Sequence, residues 1–455
     1  MTKQQRLVLF IAILASFVAF LDGSVVGVAL PSISEQLGGG LLTQQWVNDA
    51  YLITLGTLIL TAGSLSDIFG RKTILSIGLY GFLVASILCA IAPTDLFLII
   101  SRGLQGIAGA LLVPSSLALI ISTFSGQAQS KAIGTWTAWT GIAFVIGPLV
   151  GGLLVDFASW RWVFAINVIP IAIALWFVRS LAVSADKPQH KNVDVLGIIL
   201  GIVALGGIVY ALIEQGNYGW HSPQIYGTFA LGVIAMSAFL FHEHRTPYPM
   251  LPLRLFKVQN FSVGNLATFF IYAALSLQGF LLVIFLQQTA DFSALAAGLA
   301  SVPITIILFI LSPRFGALSG KYGPRWFMAL GPIVSGLGVL LLLGVNLPVQ
   351  YWTQLLPGIL LFGLGLSATV APLTSAILGS IQPSQAGIGS AINNAVARIA
   401  GLLAIAAIGI FIGHSVSLQG FHQGLLLCAG LLIAGGIIAA IGIENRSVKA
   451  PVNPN

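Results

Sequence analysis

Long runs of apolar residues fill most of the chain, and short polar or charged segments separate them. A transmembrane helix needs about 20 mostly apolar residues, and fourteen runs reach roughly that length. The connections between them are too short to hold a soluble domain. The pattern predicts an all-α polytopic membrane protein with helices over residues 8–31, 46–68, 74–93, 97–122, 132–155, 162–181, 195–213, 225–241, 262–288, 295–318, 326–346, 352–379, 386–413 and 421–443.

Composition supports the same class. Charged residues make up 7% of the 455 residues and hydrophobic residues 57%, whereas a soluble domain carries roughly 25% charged residues. A soluble enzyme, a nucleic-acid-binding protein and a secreted disulfide scaffold are therefore excluded. Cys89 and Cys428 lie inside apolar stretches, so we interpret them as packing residues, and the six histidines show no metal-ligand spacing.

The positive charges indicate an orientation. If both termini are cytoplasmic, 16 of the 19 Lys and Arg residues fall in cytoplasmic loops and tails, and one, Arg161, falls outside. Arg102 and Arg398 lie within predicted helices. This asymmetry is what the positive-inside rule predicts for an even number of spans in the inner (cytoplasmic) membrane. It also explains the net charge of +7 without nucleic acid.

An internal repeat divides the chain. Gly63–Lys72 (GSLSDIFGRK) and Gly316–Arg325 (GALSGKYGPR) are 253 residues apart and follow the second and tenth helices. Two homologous six-helix halves separated by an extra helix pair place the repeats at these positions. We therefore predict an N-terminal bundle over 1–182, an extra pair over 183–258 and a C-terminal bundle over 259–455. Duplicated halves around a midplane site are typical of transporters.

Seven segments carry recognisable motifs: Leu21–Pro31, Trp46–Tyr51, Gly63–Lys72, Arg102–Gly109, Gly134 with Gly147–Pro148 and Gly151–Gly152, Ser159–Pro170, and Asn393–Gly401. In this order they resemble the major facilitator superfamily, specifically its fourteen-helix drug:proton antiporter branch. The resemblance implies the major facilitator fold, with two six-helix bundles and two extra central helices. It also implies alternating access, a monomer, and transport driven by the proton gradient without a cofactor.

Asp22 is the first candidate for chemistry. It lies about 21 Å along the first predicted helix at ~1.5 Å per residue. An acid near the bilayer centre costs about 2.5–3.5 kcal/mol, so it faces the protein interior or a water-filled cavity. Three interpretations remain open: a bridge between helices, a proton-carrying carboxylate, or a contact for a cationic substrate.

Arg102 and Asp49 complete a predicted proton-coupling group with Asp22. Arg102 falls at a depth within one helical turn of Asp22, and Asp49 lies near the outer end of the second predicted helix. An Arg beside a carboxylate favours proton release, and its separation favours proton capture. Arg102 could instead donate to backbone carbonyls, and Asp49 could cap its helix.

A second group is predicted to line a substrate cavity. Arg398 lies near the middle of the thirteenth predicted helix, close to Asn393 and Asn394. Arg398 belongs either to a structural polar network or to a substrate contact. Trp136 and Trp139 are candidates for contacts with aromatic compounds.

The resemblance adds two conformational groups. The first is a latch in the loop after the second helix, for which a topogenic charged loop is the alternative: Gly63, Asp67, Gly70, Arg71 and Lys72. The second is the antiporter-motif helix, for which plain helix packing is the alternative: Gly134, Gly147, Pro148, Gly151 and Gly152.

The sequence thus predicts a secondary transporter that exports small hydrophobic or cationic compounds in exchange for protons. Its expected partners are the substrate, protons and the lipid bilayer. The chain has no Gly-Lys-Ser/Thr phosphate loop, and no intramembrane catalytic pairing predicts an enzyme. The alternatives are a dedicated metabolite or lipid transporter, or a non-transporting receptor on the same helices.

Overall fold

The computed structural model describes residues 1–181, 193–247, 249–382, 385–413 and 415–445. Within these ranges the chain forms fourteen helices that are long and apolar enough to cross a membrane. In chain order they are α1 (Lys3–Leu37), α2 (Gly40–Ser66), α3 (Arg71–Ala90), α4 (Asp95–Thr123), α5 (Gly126–Phe157), α6 (Trp162–Arg179), α7 (Val195–Tyr218), α8 (Pro223–Arg245), α9 (Gln259–Gln288), α10 (Ala294–Tyr322), α11 (Arg325–Gly344), α12 (Tyr351–Gly379), α13 (Ala386–Ile412) and α14 (Leu418–Gly442).

The predicted number of helices is confirmed, but several predicted ends are wrong by up to six residues. Helix α1 begins at a capping box, in which Thr2 Oγ1 accepts from the Gln5 backbone N–H and Gln5 Oε1 accepts from the Thr2 backbone N–H. Polar residues also extend α1 at its C-terminal end and α2 at its N-terminal end beyond the apolar runs. Gln44 donates to the Ser34 hydroxyl at 2.7 Å and ties α1 to α2. An apolar run predicts only the part of a helix that lies in the bilayer core. These polar ends lie beyond that run, so the pattern of apolar residues did not include them.

The chain divides into two compact units. The first consists of Met1–Pro252, Gly279–Ala300 and Leu402–Phe421, and the second of Leu253–Gln278, Ser301–Gly401 and His422–Asn455. The predicted boundaries at 182 and 258 stay a prediction, because they concern evolutionary halves and these units are defined by contacts.

Close packing of α2 on α4 organises the first unit. A Cβ on Gly106 would lie 2.3 Å from the Tyr51 carbonyl oxygen and 2.2 Å from Thr54 Oγ1. The Thr54 hydroxyl in turn donates to the Gly103 carbonyl at 2.9 Å. Only glycine permits this approach, which brings the polar residues of α4 into the interior of the bundle.

The second unit contains the second copy of the repeat. Helix α10 ends at Tyr322 and is followed by Gly323, whose φ of 87° favours glycine. The backbone N–H of Arg325 then donates to the Asn445 side chain. In the first unit Gly70, also at φ 87°, forms the corresponding turn between α2 and α3. The two copies of the repeat therefore share a turn geometry as well as a sequence.

Candidate functional site

Asp22 and Arg102 form an ion pair inside the first unit. Arg102 Nη1 of α4 lies 2.7 Å from Asp22 Oδ2 of α1, and the side chains are 2% and 0% exposed. Helix geometry predicted that the two residues lie at a similar depth. In the structure they are in direct contact. A buried ion pair is a weak source of stability, because removing two charges from water is costly.

Two amides complete the hydrogen bonding of the Asp22 carboxylate. The Gln105 side chain donates to Oδ1 at 3.0 Å and the Asn167 side chain donates to the same oxygen at 2.8 Å. Sequence reasoning assigned no role to either residue. Gln105 was detectable, because residues three apart share a helix face and Gln105 follows Arg102 by three.

Arg102 is also held by contacts other than Asp22. Its Nε donates to the Val47 carbonyl at 3.1 Å and its Nη1 to Gln105 Oε1 at 2.6 Å. The guanidinium lies 4.3 Å from the centre of the Tyr51 ring, where a cation–π attraction stabilises it. Donation to a backbone carbonyl, the alternative interpretation of Arg102, therefore occurs together with the ion pair.

The resulting network joins five helices. Gln105 also donates to Ser86 of α3 at 3.0 Å, so α1, α2, α3, α4 and α6 all contribute. Three side chains, Arg102, Gln105 and Asn167, donate to the Asp22 carboxylate, which is fully buried.

Asp49 lies outside this network. It is fully buried in α2, Asn48 donates to its Oδ1 at 2.9 Å, and Oδ2 has no hydrogen-bond partner within the described ranges. Its proposed capping role is wrong, because α2 begins nine residues earlier, at Gly40.

The predicted cavity residues on α13 belong to the second unit. Asn393 donates to Thr268 Oγ1 at 2.8 Å and to Asn265 Oδ1 at 3.2 Å, both on α9. Asn394 is exposed and donates within its own helix to the Ser390 carbonyl. Arg398 is half-buried. Asn393 therefore bridges two helices, while its neighbour is free to contact solvent or a substrate.

The two tryptophans of α5 have different surroundings. Trp136 Nε1 donates to Ser16 at 3.0 Å, and Ser16 lies 2.6 Å from Ser116. Trp139 is 47% exposed. A cavity of about 750 Å³ in the first unit is lined by Trp46 and Glu214 among others, but by none of the five residues predicted to line a cavity.

The antiporter-motif helix packs tightly against α1. A Cβ on Gly147 would lie 1.9 Å from Ser24 Oγ, and one on Gly151 would lie 2.9 Å from the Val25 carbonyl oxygen. Gly134 has open space around it, so packing does not require glycine there.

On its other side α5 contacts the start of α10 within the first unit. A Cβ on Gly152 would lie 2.4 Å from Leu295 Cα, and the Pro148 carbonyl oxygen would lie 2.5 Å from a Cβ on Gly298. Sequence reasoning missed Asp156, whose two carboxylate oxygens each accept a 2.9 Å hydrogen bond, from the backbone N–H groups of Ala294 and Leu295. Asp156 thereby caps α10.

The predicted latch is only partly described. Gly70 forms the turn at φ 87°, and Lys72 Nζ donates to the Leu181 carbonyl at 2.7 Å. Arg71 is half-buried, and a Cβ added at Gly63 would meet no atom within 4 Å. The side chain of Asp67 lies outside the described residues.

Comparisons with known proteins agree with the helices and motifs. The family model of the Major Facilitator Superfamily matches residues 12–262 and 264–455. The methylenomycin A resistance protein of Bacillus subtilis (strain 168) is 34% identical over 90% of this chain and 88% of its own length. The puromycin resistance protein pur8 of Streptomyces alboniger is 30% identical over 97% and 92%.

Two further comparisons extend this result. The multidrug transporter protein MdtP of B. subtilis is 34% identical over 90% of this chain and 75% of its own length. A crystal structure of the peptide transporter POT in complex with sulfate superposes with a TM-score of 0.73 at 16% identity, over 96% and 94% of the two chains, which shows a shared fold. The chain therefore belongs to the Major Facilitator Superfamily and is a membrane transporter, not an enzyme.

Proposed function

We propose that this transporter exports small hydrophobic or cationic compounds in exchange for protons and that Asp22 carries the proton. The observation that carries the proposal is the buried Asp22–Arg102 ion pair. Ionisable residues inside a membrane bundle are costly and mark ion or proton pathways. A helix pair could be held together by uncharged hydrogen bonds, so an ion pair needs a functional reason.

The coupling step follows from the contacts of Asp22. While Arg102, Gln105 and Asn167 donate to it, the carboxylate is stabilised in its ionised form. Movement of α1 away from α4 removes the cation and favours protonation. Return of Arg102 to the pair expels the proton, so alternation of the helices becomes alternation of proton affinity.

The contact between α5 and α10 is a second feature that would break when the transporter changes conformation. Asp156 holds the first two backbone N–H groups of α10, where a helix N-terminus favours negative charge. Glycines in both helices permit the approach. We propose that these contacts close one face of the transporter and separate when that face opens, with the latch closing the other face.

The relatives support the substrate class. They are named for resistance to methylenomycin A and puromycin and as a multidrug transporter. We propose an inner-membrane monomer with both termini in the cytoplasm, as the distribution of basic residues favours. One proton entering down 100 mV contributes about 2.3 kcal/mol, enough for a gradient of about 50-fold of a neutral compound, since 1.4 kcal/mol is tenfold. One-for-one exchange with a monovalent cation moves no net charge, so the proton concentration gradient alone drives it.

The test uses purified protein in liposomes with an acidic lumen and records lumenal pH while lipophilic cations and neutral drugs are added. We compare wild type with Asp22→Asn. The matched control is Asp291→Asn, because Asp291 is exposed at φ 56°, a conformation that asparagine tolerates. We expect substrate-evoked proton efflux in wild type and in the control, and none in Asp22→Asn.

Efflux that persists in Asp22→Asn would contradict the role of Asp22. If folded wild type moves no protons with any compound, drug antiport is wrong. A dedicated metabolite or lipid transporter then becomes the better hypothesis.

A further inference from the structure

A second buried carboxylate cluster joins the additional helices α7 and α8. Asp194 precedes α7 and caps it, its Oδ1 accepting from the Gly197 backbone N–H at 2.9 Å. The same oxygen lies 2.7 Å from His242 Nε2 of α8. The neighbouring residue, Glu243, accepts through Oε2 from the Leu251 backbone N–H at 2.9 Å. The cluster therefore also holds the segment that follows α8.

Each carboxylate has one buried oxygen without a hydrogen-bond partner. Asp194 Oδ2 and Glu243 Oε1 accept no hydrogen bond within the described ranges. Both side chains are largely buried, since the Asp194 side chain is 7% exposed and Glu243 is 3% exposed. Both oxygens face the space beside Gly197, which is called the gap below. A Cβ on Gly197 would lie 2.6 Å from Asp194 Oδ2 and 3.1 Å from Glu243 Oε1.

Among the described residues, no Lys or Arg supplies a counter-charge to this gap. Helix α2 packs on α7 where Thr57 meets Gly201, and its stretch 57–66 contains no titratable residue. His244 and Arg245 at the end of α8 are exposed, and the Arg245 guanidinium lies over the Phe241 ring.

The remaining neighbours change this picture little. On the segment after α8, the backbone N–H groups of Met250 and Leu251 face Glu243, while Arg254 is exposed. His242, whose side chain is 25% exposed, is the ionisable partner of Asp194, and it contacts Oδ1. Within the part of the chain that the structure describes, neither Asp194 Oδ2 nor Glu243 Oε1 accepts a hydrogen bond.

Two ionised carboxylates that face one another in a buried gap repel and are poorly solvated. One proton removes both penalties, because the protonated carboxyl becomes a donor to its neighbour, as in carboxylate pairs that share a proton. We propose that Asp194 and Glu243 form a second proton-binding site, in which one proton is shared between Asp194 Oδ2 and Glu243 Oε1. No covalent bond between heavy atoms changes, and the proton comes from solvent.

The partly exposed His242 gives this site its connection to water. Loss of the proton leaves two charges in the gap, which weakens the junction of α7, α8 and the following segment. The site does not depend on the Asp22 mechanism, since it involves other helices. Its failure would leave proton-coupled export by Asp22 unaffected.

The test is infrared spectroscopy of the full-length protein in lipid at neutral pH, comparing wild type, Glu243→Gln and Asp194→Asn. The control is Glu35→Gln, which changes an exposed carboxylate at the end of α1. We expect wild type and Glu35→Gln to show a carboxylic acid C=O stretching band of the same area, and both cluster variants to show a smaller one. Equal band areas in wild type and in Glu243→Gln would overturn the proposal.

A second measurement follows thermal unfolding against pH. The amide of Glu243→Gln can donate to Asp194 at every pH, so its midpoint should stay level in the alkaline range where wild type loses stability. The proposal would be overturned if the unfolding midpoints of wild type and Glu243→Gln fell in parallel as the pH is raised. If Glu243→Gln does not fold, the infrared spectrum of Asp49→Asn replaces it as the test. Among the described residues, Asp49 is the other buried carboxyl with an unpartnered oxygen, so this variant removes the other source of an acid band. If the Asp49→Asn spectrum has no acid band, the proposal of a shared proton is overturned, and if the band remains, the proposal is supported.

Discussion

Two carboxylate clusters of the first unit are both largely buried but have different surroundings. Asp22 accepts from the guanidinium of Arg102 and from two side-chain amides. Asp194 and Glu243 each leave one oxygen without a donor among the described residues, and they face a common gap. The two clusters therefore differ in the number and charge of the groups that donate to each carboxylate, and not mainly in burial.

The difference predicts different responses to movement. Under the proposed mechanism, the Asp22 cluster takes up a proton when its helices separate. Under the second proposal, the Asp194–Glu243 cluster holds a proton while its helices stay together. Removing a donor should therefore be most damaging in the first cluster.

The largest effect is expected for Arg102→Met. It leaves the Asp22 carboxylate buried without its cation, and breaking a buried pair in this way costs about 3–5 kcal/mol. Denaturant unfolding in detergent measures the loss. The double variant Asp22→Asn with Arg102→Met should regain most of the stability without regaining proton coupling. No regain in the double variant would show that Arg102 acts mainly through Val47 and Tyr51.

A smaller effect is expected for Gln105→Leu. It removes a hydrogen bond to a charged group, which is worth about 1.5–3 kcal/mol. The matched control is Gln44→Leu, because Gln44 is equally buried but donates to the neutral Ser34 hydroxyl, a bond worth about 1 kcal/mol. Gln105 also bonds Arg102 and Ser86, so the difference between the two unfolding free energies reports its charged partners, Asp22 and Arg102, together. Equal losses would contradict a stabilising contribution from these charged partners.

The smallest effect is expected for Gly197→Ala in the second cluster. The new methyl group would enter the gap, and displacement of the carboxylates should cost about 1 kcal/mol. Gly206→Ala is the control in the same helix, where nothing lies within 4 Å of the added Cβ. That change should stabilise the helix by up to about 1 kcal/mol. If Gly197→Ala raised the free energy of unfolding, the carboxylates of Asp194 and Glu243 would not occupy the space beside Gly197, and the account of this cluster would be contradicted.

Sequence reasoning could predict the first cluster in part. A regular helix fixes depth at a constant rise per residue, which placed Asp22 and Arg102 at one level. Asn167 was out of reach by this route, because α6 is interrupted between Ala165 and Val168. Beyond such an interruption, the spacing along the chain no longer fixes which way a side chain points.

The second cluster was not predicted at all. Asp194 directly precedes the predicted seventh helix, 195–213, and Glu243 lies beyond the end of the predicted eighth helix, 225–241. The pairing depends on how α7 crosses α8, which a one-dimensional pattern does not contain. The helix number and the motifs were predictable because the bilayer sets span length and because the motifs lie in fixed order.

The most direct test of the central claim counts the protons exchanged when a transported compound binds to purified protein in weakly buffered solution. If binding of substrate and of proton are coupled through Asp22, binding of substrate changes proton binding, because linkage is reciprocal. We predict a proton change on binding to wild type and to Asp291→Asn, and none on binding to Asp22→Asn. An equal proton change in Asp22→Asn that still binds the compound would contradict Asp22 as the coupling carboxylate.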